Sequence, residues 1–202
     1  MIKVGVTGGI GSGKSYVCLI IEQLGFPVFY SDKVAKDVLI SDEVTKSKLI
    51  DIFGTSMYQN NQLDKVQFSQ LVFSDPVLLK KVNAIIHPRV RELFHAWSLQ
   101  QNSSILFNEA AILFETDSYK NFDATILVTS PLDLRIQRII DRDGLSESDI
   151  MKRMDNQWKD DDKKTLATYC IVNDDKTGLL AQIEEIITNL TILEKKTTHS
   201  LS

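Results

Sequence analysis

A chain of 202 residues with 43% apolar side chains can bury a full core, as one generous domain or as a core with an inserted subdomain. A net charge of −4 without a long basic run argues against a nucleic-acid surface, and no apolar run reaches the length of a membrane span. Cys18 and Cys170 sit inside apolar runs and read as small core residues of a reducing compartment, so a cytoplasmic protein is expected.

Ile2, Val4 and Val6 are β-formers in a short apolar run, as expected of a buried strand. The pattern Gly8-x-x-x-x-Gly13-Lys14-Ser15 follows, and five of the nine glycines fall between Gly5 and Gly13. Such a loop can curl and aim successive N–H groups at one anion. The amphipathic run from Ser15 to Leu24 makes it also a helix N-terminus, whose dipole favours bound phosphate. Lys14 adds a full positive charge near the β- and γ-phosphates, and the Ser15 hydroxyl suits Mg²⁺. A nucleoside triphosphate is the expected ligand. A cleaved secretory leader is not expected here, because cleavage would remove the loop.

Gly25 ends the first helix, and Phe26 to Asp32 reads as a second strand with Asp32 at its carboxyl end. In open α/β sheets that end faces the ligand crevice, which would let Asp32 act in catalysis. It can equally cap the helical segment from Lys33 to Leu39. From Ser41 to Gln101 the pattern is helical. One helix runs from Ser41-Asp42-Glu43 to a stop at Gly54, Asp64-x-x-Gln67 resembles a capping box, and Ser74-Asp75-Pro76 opens a further helix that Pro88 should kink or break. No strong strand signal appears between Asp32 and Ser104, so a helical subdomain inserted between two strands is expected.

Ser104 to Asn108 reads as the third strand, ending at Glu109, and Asp123 to Thr129 as the fourth. Ser130-Pro131 should cap a helix whose Arg135, Arg138 and Arg142 step by three and four along one face, either a solvated stripe or phosphate clamps. Ser146-x-x-Asp149 is another capping box, opening the helix expected to carry Arg153 and Gln157. The run from Asp160 to Lys164 reads as a solvated helix start. Tyr169 to Asn173 is the fifth strand, and a last helix starts at Gly178. The polar tail beyond it is expected to be disordered. His87, His95 and His199 lack metal-ligand spacings, so no protein-held zinc is expected. Trp97 and Trp158 read as packing residues.

Taken together, these residues resemble the dephospho-CoA kinase family over nearly the whole chain. The resemblance rests on Val6 to Ser15, Ser31-Asp32-x-Val34-Ala35-Lys36, Phe53-Gly54, Leu63-Asp64-Lys65, His87-Pro88 and Ile112-Leu113-Phe114-Glu115. Arg138-x-x-x-Arg142-Asp143, Arg153, Gln157 and Ile171-Val172-Asn173 complete it. It implies an α/β fold of the P-loop NTPase and nucleoside-monophosphate-kinase type, with a parallel five-stranded core at about 1–32, 103–140 and 166–193. A helical CoA-side insertion at about 33–102, a small lid at about 141–165 and a disordered tail at 194–202 go with it. It implies transfer of phosphate from ATP, with Mg²⁺, to the ribose 3′-hydroxyl of dephospho-CoA.

By that resemblance Asp32, Lys14 and Arg142 carry catalysis, with Asp32 as the base. Gly9, Gly11, Ser12, Gly13, Lys14, Ser15, Tyr16, Arg138, Arg142 and Asn173 bind ATP. Thr7, Asp32, His87, Arg89, Glu109 and Leu113 meet the acceptor, and Ser15 meets the metal. Glu109 is a second candidate, as base or as a holder of Mg²⁺ through water. Tyr30, Tyr16, Ala111, Lys36, Lys65 and Arg135 depart from the family pattern. Partners beyond ATP and dephospho-CoA are not expected, neither nucleic acid nor membrane, and the oligomeric state stays open. Another small-molecule kinase of this architecture is the nearest rival. A guanine-nucleotide switch is disfavoured by the lack of an Asn-Lys-x-Asp motif.

Overall fold

The computed structural model describes residues 1–59 and 62–199. In chain order the elements are β1 (Ile2–Gly8), α1 (Lys14–Gln23), β2 (Val28–Tyr30), α2 (Ser31–Ser41), α3 (Glu43–Phe53), β3 (Tyr58–Gln59) and β4 (Gln62–Leu63). Then follow α4 (Lys65–Ser74), α5 (Pro76–Ser98), β5 (Ile105–Glu109), β6 (Ala124–Thr129) and α6 (Leu132–Asp143). The chain closes with α7 (Glu147–Met154), α8 (Asp160–Lys164), β7 (Tyr169–Val172) and α9 (Leu179–His199). It divides into two compact units, Met1–Tyr30 with Asn102–Ser202, and Ser31–Gln101.

The first unit is built on a five-stranded sheet in the order β2-β5-β1-β6-β7, with every pairing parallel. Parallel strands must be covered on both faces, which is why they read as nearly unbroken apolar runs. Ile2, Val4 and Val6 of β1 alternate onto one face, where Val17, Cys18 and Ile21 of α1 and Ile183, Ile186 and Leu190 of α9 complete the core. On the other face Gly5 leaves room for Leu113 and Phe122, whose carbons a side chain there would strike. Each large apolar side chain buried in this way stabilises the fold by about 1.5–3 kcal/mol. At the outer edge, the Gln182 amide of α9 donates to the Val172 carbonyl at 3.0 Å and accepts from the Val172 N–H at 2.9 Å.

The second unit gathers α2, α3 and α4 around α5. Its helices start where short acidic side chains take up the first orphan N–H groups. Asp42 accepts from Thr45, Asp64 from Val66 and Gln67, and Asp75 from Val77 and Leu78. Phe53 and Phe68 meet edge to face at 5.5 Å between centroids.

Several expectations need correction. Of the two outcomes expected at Pro88, the break does not occur: helix α5 runs through it for 23 residues. Val82, Ile86, Val90 and Phe94 bury one stripe on both sides of the proline, and this packing outweighs one lost backbone bond. The hairpin of β3 and β4 has strands of two residues, too short to leave an alternating pattern. Ser130 does not cap α6: Pro131 holds the capping position with no side-chain bond, while the Ser130 hydroxyl accepts from Arg138 at 3.1 Å. Gln157 lies beyond the end of α7. The segment expected to be a disordered tail from 194 is helical through His199, and residues 200–202 lie outside the described residues.

Candidate active site

The turn after β1 owes its shape to backbone freedom. Gly13 sits at φ 86° and ψ 18°, left-handed values that a side chain would strain, and α1 starts at the next residue. The Gly13 carbonyl accepts from Tyr16 and Val17, and the Gly9 carbonyl from Ser12, which closes the loop upon itself. Residues 8–15, with Arg138, Arg142 and Gln157, enclose a cavity of about 330 Å³. A second recess shares Gly13 and Arg138 with it and is bordered by Tyr16, Asn173, Thr177 and Leu179. Asn173 follows β7 and ties that strand end to the loop, its amide donating to the Ser12 carbonyl at 2.8 Å.

Cations dominate this cleft. Lys14 opens α1 and is ion-paired with Glu109, which ends β5 and is 4% exposed. Arg138 donates to the Asn173 carbonyl and to Asp175, the latter at 2.5 Å. Arg142 is held only loosely among the described contacts: its side chain is 63% exposed and its fork lies on the adjacent Asp143 at 2.8 Å. The Cys18 thiol beneath the loop is pushed up to about 12 by burial, a shift that nearby Lys14 only partly offsets. It stays a neutral packing group rather than a nucleophile. Burial and a 2.8 Å bond to Glu22 likewise raise the Tyr30 phenol, so Tyr30 is a neutral donor at the end of β2.

Glycine-rich turn, helix N-terminus, lysine and arginines around one cleft are the parts of a phosphoryl-transfer site. A family model described as dephospho-CoA kinase matches residues 2–178. The chain belongs to the dephospho-CoA kinase family. A Bacteroides fragilis dephospho-CoA kinase is 38% identical over 92% of this chain and 91% of its own. A crystal structure from Thermus thermophilus, 32% identical, aligns over 95% of this chain and 96% of that one with a TM-score of 0.81. A dephospho-CoA kinase from Campylobacter jejuni, 24% identical, shares the fold over 93% and 96% of the two chains at a TM-score of 0.67.

Membership in the dephospho-CoA kinase family makes this chain a kinase, and its P-loop residues Gly9, Gly11, Ser12, Gly13, Lys14 and Ser15 all line the first cavity. Tyr16 and Asn173 border the second recess. Thr7 and Leu113 are 0% and 2% exposed; the Thr7 hydroxyl donates to the Ala111 carbonyl at 3.3 Å, so both sit in the wall of the core. In the second unit, Asp32 is in the first turn of α2 rather than the residue before it, which removes the N-cap reading in its strict form. Asp32 acts electrostatically on His87 of α5, whose imidazole is lowered by burial first and by Arg91 second, against the opposing pull of Asp32. Arg89 donates to Asp42 at 2.9 Å and to Glu92 at 3.0 Å.

Arg135 and Gln157 find partners in the loop that no sequence pattern points to. The Ile10 N–H donates to Gln157 at 2.8 Å, and Arg135 donates to the Ile10 carbonyl at 2.9 Å and contacts Asp160 at 3.3 Å. The acidic and basic run that begins at Asp160 is therefore not simply solvated. Lys163 is fully buried, 2.7 Å from Glu115 but off the hydrogen-bonding direction. The carboxylate also accepts from the Trp158 N–H at 3.1 Å. Partners separated by 147 residues in the case of Ile10 and Gln157 leave no local signature. Among the described residues, no helix is long and apolar enough to cross a membrane, and no group of three or more His, Cys, Asp or Glu could hold a metal.

Proposed function

We propose that the chain transfers the γ-phosphoryl group of MgATP to the ribose 3′-hydroxyl of dephospho-CoA, giving coenzyme A and ADP in the cytoplasm as the last step of coenzyme A synthesis. The carrying observation is family membership over residues 2–178 together with the cavity that joins the loop to Arg138 and Arg142. In this reading Lys14, Arg138, Arg142 and the loop amides of Gly9, Gly11, Ser12 and Gly13 bind the triphosphate and offset charge on the moving phosphoryl group. Tyr16 and Asn173 border the nucleoside end.

Ser15 lines the cavity with a hydroxyl, an oxygen donor of the kind Mg²⁺ takes. Phosphate oxygens of ATP and water would complete the shell of an ion held there, since Mg²⁺ gives up its water reluctantly. When bound, Mg²⁺ supplies charge neutralisation at the β- and γ-phosphates.

In the transfer, the ribose 3′-oxygen forms a bond to the γ-phosphorus as the bond to the β,γ-bridging oxygen breaks. The hydroxyl proton passes to a carboxylate. We assign that base to Asp32, two residues beyond the end of β2. Glu109 is the reserve candidate, although its carboxylate is already engaged by Lys14.

The Ser31–Gln101 unit is the proposed acceptor-binding subdomain, through His87 and Arg89, and the segment 141–165 the proposed lid. A guanidinium carries five N–H donors, and the contacts to Asp42 and Glu92 leave Arg89 capacity for a phosphate. Thr7 and Leu113 would act from beneath, by shaping the strand end on which the acceptor rests. The test is direct. The protein is incubated with MgATP and dephospho-CoA, or with nucleoside monophosphates, and products are read by mass. Coenzyme A formed from the first acceptor alone supports the assignment, and transfer only to nucleoside monophosphates overturns it.

A further inference from the structure

The backbone of Ile10 is held at both its N–H and its carbonyl by side chains from distant parts of the chain. Its N–H donates to Gln157 Oε1 at 2.8 Å, and its carbonyl accepts from Arg135 Nε at 2.9 Å. Ile10 lies inside the phosphate loop, between Gly9 and Gly11. Arg135 belongs to α6, and its guanidinium lies so close over the loop that a Cβ at Gly9 would collide with it. The same guanidinium contacts Asp160 of α8 at 3.3 Å, with both side chains largely buried at 12% and 19% exposure. A loop rich in glycine has many backbone states to lose when it closes on phosphate. A residue tied at both its N–H and its carbonyl has part of that freedom removed in advance.

We propose that Arg135 and Gln157 are positioning residues that hold the phosphate loop in its anion-binding shape, with Asp160 orienting the arginine. The inference rests on the nucleotide-binding part of the reading above and adds the residues that set the loop's geometry. Neither residue needs to donate to the nucleotide for this role. Gln157 also lines the loop cavity, which defines the rival role: its Oε1 competes for the Ile10 N–H that a phosphate oxygen would otherwise take. The two roles differ in sign, since a positioning contact raises affinity and a competing one lowers it.

The experiment measures MgATP and inorganic tripolyphosphate binding to the full chain by calorimetry, without acceptor, alongside thermal melting. Gln157→Ala and Arg135→Met should each weaken both ligands by about three- to tenfold, the usual worth of one hydrogen bond. Arg135→Lys retains a donor and a charge for Asp160, and should recover much of the loss. In turnover assays the ATP KM should rise while the dephospho-CoA KM stays put. Melting changes with unaltered affinity per folded molecule would mean a purely structural role and overturn the proposal. Tighter binding by Gln157→Ala would overturn it in favour of competition. Should a variant fail to fold, Asp160→Asn makes the same test more gently, with a loss of about twofold expected and unchanged affinity counting against the proposal. A wild-type chain that binds neither ligand overturns the nucleotide reading and this inference with it. Wild-type binding matched by every variant overturns this inference alone.

Discussion

Lys14 and Glu109 form a buried ion pair that joins the first residue of α1 to the last residue of β5. The pair fixes a cation at the carboxyl edge of the sheet, beside the loop, before any phosphate arrives. Lys14→Met should lower turnover by about a hundredfold or more, because its charge counts most where the γ-phosphate develops new charge. It should also destabilise the fold by about 3 kcal/mol, since Glu109 loses its cation in a site that water hardly reaches. Adding Glu109→Gln to the same chain should restore the urea midpoint without restoring turnover. Near-normal turnover in folded Lys14→Met would remove the lysine from the mechanism.

Asp32 offers a sharper separation of roles. In the first turn of α2, its charge interacts favourably with the helix dipole, a contribution of about 0.3–1 kcal/mol that Asp32→Asn would forfeit. If it takes the alcohol proton, the same variant should still bind MgATP, yet turn over about a hundredfold to ten-thousandfold more slowly. Turnover within a few-fold of wild type would instead send the search to Glu109.

Arg142 donates both of its described bonds to its own neighbour, Asp143, so its side chain can swing with the end of its helix. Hydrogen exchange across residues 141–165 should therefore slow when MgATP and dephospho-CoA are both present, as the segment closes on phosphate. Exchange that does not respond to saturating ligands would identify a fixed element.

His87 should make stability depend on pH in a definite direction. Burial holds its folded-state value below the ordinary 6.5, so the unfolded chain binds a proton that the folded chain resists. The associated stability is present above about pH 6.5 and declines as pH falls from there. Urea midpoints measured between pH 7.5 and 5.5 should show this decline, and His87→Gln should flatten part of it; identical slopes in the two proteins would rule out His87 as its source.

Local chemistry made much of the fold readable. Asp42, Asp64, Asp75 and Ser146 announce helix starts because each satisfies N–H groups two or three residues away. The phosphate loop announces itself for the same reason, since its glycines and Lys14 are contiguous. Pro88 does not break its helix because the rule for proline is local, whereas the buried stripe of α5 is tertiary. The contacts made by Arg135, Gln157 and Lys163 do not show in the sequence for a related reason. Their partners Ile10 and Glu115 come from other elements, and a charged residue in a hydrophilic run looks solvated until the chain is folded.

The Gln182 amide beside Val172 has a consequence for self-association. Strand β7 is the last in its sheet, and the outward N–H and carbonyl of Val172 are the groups that a strand from another molecule would recruit. A primary amide, which sets an N–H donor beside a carbonyl acceptor, imitates the missing neighbour at that residue. The margin of the sheet is thus terminated from within the chain, and intermolecular strand addition there must first displace a side chain already in register.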